Sequence, residues 1–341
     1  METHFYLSEK IDVSKDLAGR RVVRAELAGL SRRPRDLLRN LAALWRQLQA
    51  LSTFLRHMRR HRPAVAVGFG SYASAPGMLA AALLRVPLLL HEQNAVPGLT
   101  NRLLGRLSDG VAVAFPETAA RFAGRECRVV GNPVRRELLK RADRGEALRF
   151  FGLRDGVFTL AVVGGSQGAQ SLNRCLAQAL TLFDESRPIQ VIHATGRDKF
   201  EAAAEAVRGA GPGKGVTYRP LAYVDRMEYL YAAADLLVCR AGASTLAEIA
   251  LQGKASVLVP YPLAAGGHQE ANARAMEKRG AALVLEEKEL GGEKLYSMVS
   301  RLMDDKVLLE EMAGRAGGLG VPDSASRLAG FALELAGGVP A

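Results

Sequence analysis

Short apolar segments alternate with helical segments along most of this chain, beginning after Pro63. Each apolar segment is rich in Val, Leu or Ile, which is typical of strands that are buried on both faces. Because helices separate them, the pattern predicts βαβ units with parallel sheets. The predicted strands are 64–68, 87–91, 111–115 and 128–130, followed by 158–163, 189–193, 216–218, 235–239, 255–259 and 282–285.

A long amphipathic helix is predicted ahead of these units, over residues 33–62. Its apolar residues recur at alternating spacings of four and three and form one continuous stripe, which we expect to pack on a sheet. Pro63 ends the helix, since proline cannot continue it. The stripe consists of Leu37, Leu41, Leu44, Leu48, Leu51, Leu55 and Met58, and Leu38 and Trp45 widen it.

The pattern divides the chain into two similar α/β halves. Its 341 residues suggest two domains, at about 150 residues per domain. The polar, arginine-rich region 132–155 lies between the halves. We therefore predict a first domain over 1–133, a second over 134–323, and a helical segment over 324–341 that returns to the first. Ligands of open α/β sheets bind at the carboxyl ends of strands, so the loops that follow strands are the candidate sites.

The composition excludes several protein classes. The chain is 48% hydrophobic and 24% charged, which excludes a disordered chain, a coiled-coil rod and a collagen-like fibre. We expect no transmembrane helix, because no uninterrupted apolar run reaches about 18 residues. The first residues lack the features of a secretion signal, so we expect a cytosolic chain. The spacing of Cys127, Cys175 and Cys239 supports neither a disulfide framework nor a zinc site.

The positive charge is concentrated near the beginning of the chain. The net charge is +11, and residues 20–62 hold twelve arginines against Glu26 and Asp36, a local charge of +10. Such a patch favours an anionic partner: nucleic acid, a phosphorylated substrate or acidic lipid. No aromatic residues are interleaved with the arginines in the manner of a nucleic-acid-binding module, so we expect no nucleic acid partner.

Two loops that join a predicted strand to a helix carry candidate phosphate and ribose chemistry. Residues 164–168 (Gly-Gly-Ser-Gln-Gly) would let backbone N–H groups approach a phosphate, although glycines also serve simple turns. They match neither the dinucleotide fingerprint nor the Walker pattern. In residues 239–248, Glu248 is placed to bind the hydroxyls of a ribose. Thr245 and Glu248 also have the spacing of a helix capping box, which needs no ligand, and spacing alone leaves both interpretations open.

Three further polar segments lie at strand ends or at the domain junction. His268, Gln269 and Asn272 are suited either to reading sugar hydroxyls or to capping a helix. Residues 91–94 (His-Glu-Gln-Asn) follow a strand of the first half. Residues 131–135 (Gly-Asn-Pro-Val-Arg) place Arg135 where a guanidinium can bind a phosphate.

These segments, taken in order, resemble the MurG family of peptidoglycan N-acetylglucosaminyltransferases. The matching motifs are Gly-Ser-Tyr-x-Ser-x-Pro-Gly, His-Glu-Gln-Asn, Gly-Asn-Pro-Val-Arg, Gly-Gly-Ser-Gln-Gly-Ala, Arg-x-Gly-Ala-x-Thr-x-x-Glu and His-Gln-x-x-Asn-Ala. The resemblance implies a GT-B fold: two Rossmann-like parallel-sheet domains facing across a cleft. It also implies inverting transfer of GlcNAc from UDP-GlcNAc to undecaprenyl-linked lipid I, giving lipid II, without a bound metal or other cofactor.

The resemblance also implies roles for individual residues. Arg135 and Ser166 would contact the diphosphate, and Val224 would meet the uracil through its backbone. Glu248 would hold the ribose, and Asn94 would approach the sugar, with Tyr72 nearby on the acceptor side. The remaining donor-binding residues would be Ala243, Ser244 and Thr245 at the nucleotide, and His268 and Gln269 at the GlcNAc hydroxyls.

Two departures from the family pattern accompany the resemblance. The family begins with a strand and a glycine-rich loop ending in histidine, which is proposed to supply the general base. The chain lacks both, as if about 30–40 residues were missing. The base is therefore unassigned; His91 is a weak candidate, and its expected task is to orient Glu92 or Asn94. The second departure is Gly266 and Gly267, where relatives often carry acids.

The arginine-rich segment predicts peripheral association with an anionic membrane surface, and the family resemblance implies the cytoplasmic side of the inner membrane. Anionic headgroups attract surface arginines, and Trp45 matches a tryptophan of the family's membrane-facing patch. Two other functions stay open: a related glycosyltransferase with another lipid acceptor such as diacylglycerol, and a non-catalytic UDP-sugar-binding protein. The membrane-facing residues that we predict are Arg32, Arg33, Arg35, Arg39 and Trp45.

Overall fold

The computed structural model describes residues 3–8, 20–27, 37–165 and 167–337, without the side chains of Leu37 and Arg39. Within these ranges the chain divides into two compact units, one formed by residues up to 131 together with those from 324, the other by 132–323. The strands and helices before residue 131 are β1 (His4–Ser8), β2 (Arg21–Ala25), α1 (Leu37–His61), β3 (Ala66–Gly68), α2 (Ser71–Leu83), β4 (Leu88–Glu92), α3 (Leu99–Leu104), β5 (Gly110–Val113) and β6 (Glu126–Val129).

The remaining elements complete both units. They are α4 (Arg144–Phe151), β7 (Phe158–Val163), α5 (Gln170–Leu180), β8 (Ile189–Ala194), α6 (Phe200–Ala210), β9 (Val216–Leu221), α7 (Met227–Ala233), β10 (Leu236–Cys239), α8 (Ala243–Gln252), β11 (Ala255–Leu258), α9 (His268–Lys278), β12 (Leu283–Val284), α10 (Gly292–Asp304), α11 (Lys306–Gly317) and α12 (Ser324–Leu335). The last of these, α12, belongs to the first unit.

The second unit is built on a six-stranded parallel sheet in the order β9-β8-β7-β10-β11-β12. Its helix α5 carries Leu172, Leu176 and Leu180 at every fourth position, and all three are fully buried. Residues four apart lie on one helix face, so α5 presents a continuous apolar surface to Leu160 and Val162 of β7. This packing holds the start of α5 at the carboxyl end of β7.

The first unit contains a parallel sheet in the order β3-β4-β5-β6 and a separate parallel pair, β1 and β2. Alternate residues of β4 face opposite sides, as a pleated strand requires. Leu88 and Leu90 pack with Phe54 of α1, whereas Leu89 packs with Phe331 of α12. The parallel sheets confirm the predicted α/β class. The apolar pattern predicts no element before residue 33, whereas the structure contains β1 and β2 there.

The apolar stripe of α1 is only partly buried, which corrects the prediction that the whole stripe packs on a sheet. The helix is buried through Ala43, Ala50, Phe54 and Met58, a face that coincides with the stripe only in its second half. The leucines of the first half whose side chains are described, Leu38, Leu41, Leu44 and Leu48, therefore stay outside the core. Among the described large apolar side chains of α1, those with half or more of their surface exposed are Leu38, Leu41, Leu44, Trp45 and Leu48.

Candidate functional site

The strand order of the second unit places a candidate ligand site between β7 and β10. The chain proceeds outward from β7 through β8 to β9, and outward in the other direction from β10 through β11 to β12. At such a switch point the loops that follow the two central strands diverge and leave a crevice at the sheet edge. These are the two loops in which the sequence places phosphate and ribose chemistry.

The glycine loop after β7 is held against the loop after β8. Gly165 and Gly168 have φ of 87° and 68°, in the left-handed region that favours glycine. A Cβ on Gly168 would lie 1.9 Å from the carbonyl oxygen of Thr195, so this position also needs glycine for the close approach. The loop ends at α5, whose first turn has no side-chain cap. Ser166, the predicted diphosphate ligand, lies outside the described residues.

Helix α8 begins at Ala243, and this start excludes the capping box. A capping box needs Thr245 at the N-cap and Glu248 three residues later. The N-cap is instead Gly242, which makes no side-chain cap, and Thr245 is already the third helical residue. Ala243, Ser244 and Thr245 thus form the first turn, where backbone N–H groups have no partner within the helix.

The Glu248 carboxylate of α8 interacts with Tyr231 of α7 and with the charge of Arg135. Its Oε2 accepts a hydrogen bond from the Tyr231 hydroxyl at 2.8 Å. Burial raises the pKa of Glu248, and the Tyr231 hydrogen bond and the positive charge of Arg135 oppose the rise. The fold therefore brings Arg135 and Glu248 within electrostatic reach, although they are far apart in the chain.

Arg240 is a buried anchor of the site that the sequence interpretation did not single out. It follows β10 directly, and only 8% of its surface is exposed. Its guanidinium donates to the Val259 carbonyl at 3.1 Å, to Glu287 Oε2 at 2.5 Å and to Ser171 Oγ at 3.0 Å. These partners come from three separate segments, so Arg240 fixes α5 relative to the end of β11. In the sequence, the feature that could have identified Arg240 is its position directly after four apolar residues of a predicted strand.

The start of α9 supplies the third polar group. Gly266 and Gly267 both have positive φ, 65° and 68°, which accounts for glycine at these positions. Gln269 Oε1 accepts from the Tyr261 backbone N–H at 2.9 Å. Within the described residues, His268 Nδ1 is buried and has no hydrogen-bond partner. Asn272 Nδ2 donates to the Ala241 carbonyl at 3.1 Å, which ties α9 to the loop after β10.

Val224 lies in the loop after β9, at the same sheet edge as the other loops. Its side chain is buried, and the Arg197 guanidinium stacks on the neighbouring Tyr223 ring at 4.6 Å. The loop therefore has a fixed backbone near the end of the sheet. The assignment of Val224 to the uracil stays a prediction.

In the first unit, Glu92 organises the turn that follows β4. Its Oε1 accepts from the backbone N–H of Asn94 at 2.9 Å and from the Asn94 side-chain amide at 3.0 Å. Its Oε2 accepts from the Gly98 N–H at 3.1 Å and the Asn101 amide at 2.7 Å. Glu92 is thus fully engaged in holding the turn, and it orients Asn94.

His91 is enclosed by its own unit. It is fully buried, its Nε2 lies 2.9 Å from the Gly131 carbonyl oxygen, and its Nδ1 lies 3.3 Å from the Gln93 amide nitrogen. Burial lowers its pKa, against the Gly131 hydrogen bond and the Glu92 charge. Both ring nitrogens have protein partners, which favours a structural role over that of a general base. Tyr72, on the first turn of α2, is 45% exposed.

Two family profiles match the chain. Residues 5–113 match the glycosyltransferase family 28 N-terminal domain, and residues 159–328 match the glycosyltransferase family 28 C-terminal domain.

Relatives with a named activity cover nearly the whole chain. The UDP-N-acetylglucosamine–N-acetylmuramyl-(pentapeptide) pyrophosphoryl-undecaprenol N-acetylglucosamine transferase of Moorella thermoacetica is 44% identical over 310 residues, 89% of this chain and 82% of the relative. The protein of the same name from Anaeromyxobacter dehalogenans strain 2CP-1 is 43% identical over 82% of this chain and 71% of its own length.

The solved structures agree with this comparison. Acinetobacter baumannii MurG is 32% identical, with a TM-score of 0.79, and the match covers 98% of this chain and 91% of that one. Anabaena HepE, solved with UDP and glucose, is 15% identical with a TM-score of 0.56 and shares the fold alone. The predicted GT-B class is thereby confirmed. With both domain profiles matched and close relatives along most of its length, the chain belongs to glycosyltransferase family 28 and, within it, to the MurG family.

Proposed function

We propose that this chain transfers GlcNAc from UDP-GlcNAc to the MurNAc 4-hydroxyl of lipid I, giving lipid II in peptidoglycan synthesis. The observation that carries the proposal is the half-buried Glu248 carboxylate of α8, which accepts a hydrogen bond from Tyr231 and feels the positive charge of Arg135, in a helix whose first turn has no side-chain cap. A carboxylate in this position is suited to accept hydrogen bonds from both hydroxyls of a ribose. The Moorella relative, 44% identical, bears the name of this activity.

The departing UDP needs its negative charge stabilised during transfer. The first turns of α5 and α8 both lack side-chain caps, and such helix starts favour anions. Arg135 adds a full positive charge near Glu248. We assign Arg135 and Ser166 to the diphosphate and residues 243–245 to the nucleotide. Groups that are already oriented when the charge develops lower the barrier without reorganisation.

His268 and Gln269 are assigned to the hydroxyls of the GlcNAc ring. The His268 Nδ1 atom, buried and without a partner among the described residues, supports this assignment because such a group is costly unless a ligand satisfies it. In the first unit, Asn94 is oriented by Glu92, and Tyr72 offers an exposed ring on the acceptor side. The acceptor hydroxyl attacks C1 of GlcNAc with inversion at that carbon, while the bond from C1 to the diphosphate oxygen breaks and UDP departs. The hydroxyl proton passes to a general base, which none of the residues assigned here supplies.

We also propose that the chain associates peripherally with the cytoplasmic face of the inner membrane. Within the described ranges no helix is long and apolar enough to cross a bilayer. The first half of α1 instead exposes an apolar face that includes Leu38, 82% exposed, and Trp45, 62% exposed. Arg32, Arg33 and Arg35 precede this face and lie outside the described residues, as does the side chain of Arg39. Exposed apolar residues next to arginines suit an anionic lipid surface.

A transfer assay with radiolabelled UDP-GlcNAc tests the proposed activity. We expect label to appear on a lipid I analogue, and no label to appear on diacylglycerol. Transfer to diacylglycerol instead would support the related glycosyltransferase. UDP-GlcNAc binding without transfer to either acceptor would support the non-catalytic binding protein. UDP-galactose, offered at the same concentration, is the matched donor control.

A further inference from the structure

Three of the six histidines in the chain lie together in the first unit. His4 lies in β1, and His57 and His61 lie four residues apart on α1. Residues four apart on a helix project from the same face, one turn above the other. The fold places β1 against this face, since the Tyr6 ring of β1 packs edge-on against Phe54 and His57 of α1.

The ring nitrogens are close enough to share one ligand. His4 Nδ1 and His57 Nε2 are 2.8 Å apart. The ring centroids of His57 and His61 are 4.2 Å apart, and those of His4 and His61 are 4.7 Å apart. One nitrogen from each histidine lies within 4.8 Å of the other two.

A transition-metal ion requires nearly this arrangement. Zinc binds imidazole nitrogen at about 2.0–2.1 Å with tetrahedral geometry, which places two ligand nitrogens about 3.3 Å apart. One pair is already closer than that, and small side-chain rotations bring the third nitrogen inward.

We propose that His4, His57 and His61 form a binding site for an imidazole-preferring divalent metal ion, Zn²⁺ above all, with a water in the fourth position. Three imidazoles without a carboxylate suit Zn²⁺, Cu²⁺ or Ni²⁺ and not Mg²⁺ or Ca²⁺, which prefer oxygen ligands. The bound ion would tie β1 to α1. The site is independent of the proposed transfer reaction.

Neighbouring charge limits the affinity. Arg21 of β2 and Arg60 of α1 both exert their positive charge on His57. A cation at the site meets the same repulsion, so we expect binding weaker than in a structural zinc site that contains thiolates. Raising the salt concentration screens this repulsion and should strengthen the binding.

Calorimetric titration of the untagged protein with ZnCl₂ at neutral pH tests the site. We expect one ion per chain, a higher Tm with Zn²⁺, and no change with Mg²⁺. His57→Ala and His61→Ala should each weaken binding roughly tenfold or more. Arg56→Ala, an exposed substitution on the same helix, is the control and should retain the wild-type affinity. No zinc binding by the wild type, or equal binding by the histidine variants, would overturn the proposal.

Cobalt gives a readout that does not depend on the stability of the variants. Co²⁺ in a tetrahedral nitrogen site has an intense visible absorption band, and the wild-type protein should show this band until Zn²⁺ displaces it. His57→Gln, which keeps a polar side chain at this position, should remove the band while far-UV circular dichroism confirms folding. An unchanged band in the folded variant would place the metal elsewhere and refute this site.

Discussion

The carboxylate of Glu248 accepts a hydrogen bond from the Tyr231 hydroxyl at 2.8 Å, in a pocket that leaves Tyr231 only 1% exposed. The pKa of the Tyr231 phenol is raised well above its usual value by burial and by the Glu248 charge, so the hydroxyl keeps its proton and remains the donor. One Glu248 oxygen is thus held by α7. The other oxygen carries the predicted contact with a ribose.

Replacing Glu248 with Ala should weaken UDP binding. Hydrogen bonds from ligand hydroxyls to a charged group contribute about 1.5–3 kcal/mol each, so we expect a roughly tenfold to hundredfold rise in Kd measured by calorimetry. Tyr231→Phe is the matched control: it removes the 2.8 Å hydrogen bond but retains the carboxylate, and should change the affinity much less. Equal UDP affinity in the Glu248 variant and the wild type would leave Glu248 with a structural role only.

Gly168→Ala should disrupt the glycine loop. The added Cβ would lie 1.9 Å from the Thr195 carbonyl oxygen, so the backbone must move. Gly156 offers a close control, because it has a similar φ of 75° and open space where its Cβ would be. Both substitutions incur the left-handed penalty of about 1–2 kcal/mol. Only Gly168→Ala should also lower UDP affinity, and a loss of equal size in Gly156→Ala would contradict the proposed loop function.

Arg240→Ala should destabilise the second unit. It removes the ion pair with Glu287 and the hydrogen bond to the buried Val259 carbonyl. Breaking a buried ion pair costs about 3–5 kcal/mol, whereas an exposed pair contributes about 0–1 kcal/mol. The control is Arg315→Ala, whose ion pair with Glu311 is exposed on both sides. Urea unfolding followed by circular dichroism should show a large shift of the midpoint for Arg240→Ala alone; equal shifts would mean that Arg240 is not an anchor.

Stability should fall in acid because of His193. This side chain is fully buried, and burial lowers its pKa from 6.5 to about 4. Between pH 6.5 and about pH 4, His193 binds a proton in the unfolded chain but not in the folded chain. The free energy of unfolding therefore decreases as the pH falls through this range. The difference amounts to about 3 kcal/mol.

Unfolding at a series of pH values measures this effect. His193→Gln removes the ionisable ring, so its free energy of unfolding should fall less than that of the wild type between neutral pH and pH 4. Because other groups titrate equally in both proteins, the comparison isolates His193. Parallel curves for the two proteins would show that His193 is protonated equally in the folded and unfolded states.

Vesicle sedimentation tests the membrane proposal. Anionic lipid attracts surface arginines by about 1 kcal/mol each, so the protein should bind vesicles of phosphatidylglycerol or cardiolipin, bind neutral vesicles weakly, and be released by high salt. Substituting glutamine for the predicted arginines should weaken binding without changing UDP affinity. The substituted set is Arg32, Arg33, Arg35 and Arg39.

An equal change of charge in the second unit controls for net charge. Replacing four exposed arginines of the second unit with glutamine should leave vesicle binding nearly intact. If both groups of substitutions weaken vesicle binding equally, binding depends on the net charge of the protein and not on the arginine-rich segment. Trp45→Ser tests the apolar contribution separately. The control set is Arg174, Arg208, Arg301 and Arg315.

The sequence alone predicted the order of strands and helices from Ala66 onward and the loops that hold the motifs. The buried side chains of an element repeat with a period of two residues in a strand and about 3.6 in a helix. This periodicity is visible in the apolar residues of a short sequence segment. Parallel strands then place the loops that follow them at one sheet edge. The two Rossmann-like units and the position of the glycine loop after β7 were therefore predictable.

Contacts between distant residues were decided by the tertiary structure alone. Tyr231 precedes Glu248 by 17 positions, and His4 and His57 are 53 apart. The spacing of Thr245 and Glu248 fitted a cap until the start of α8 at Ala243 excluded it. In α1, periodicity identified an apolar stripe, but the packing of neighbouring elements determined which part of it is buried. The sequence pattern indicates which residues are apolar and tend to be buried. Which distant residues contact each other depends on how whole helices and strands pack, and this is visible only in the folded chain.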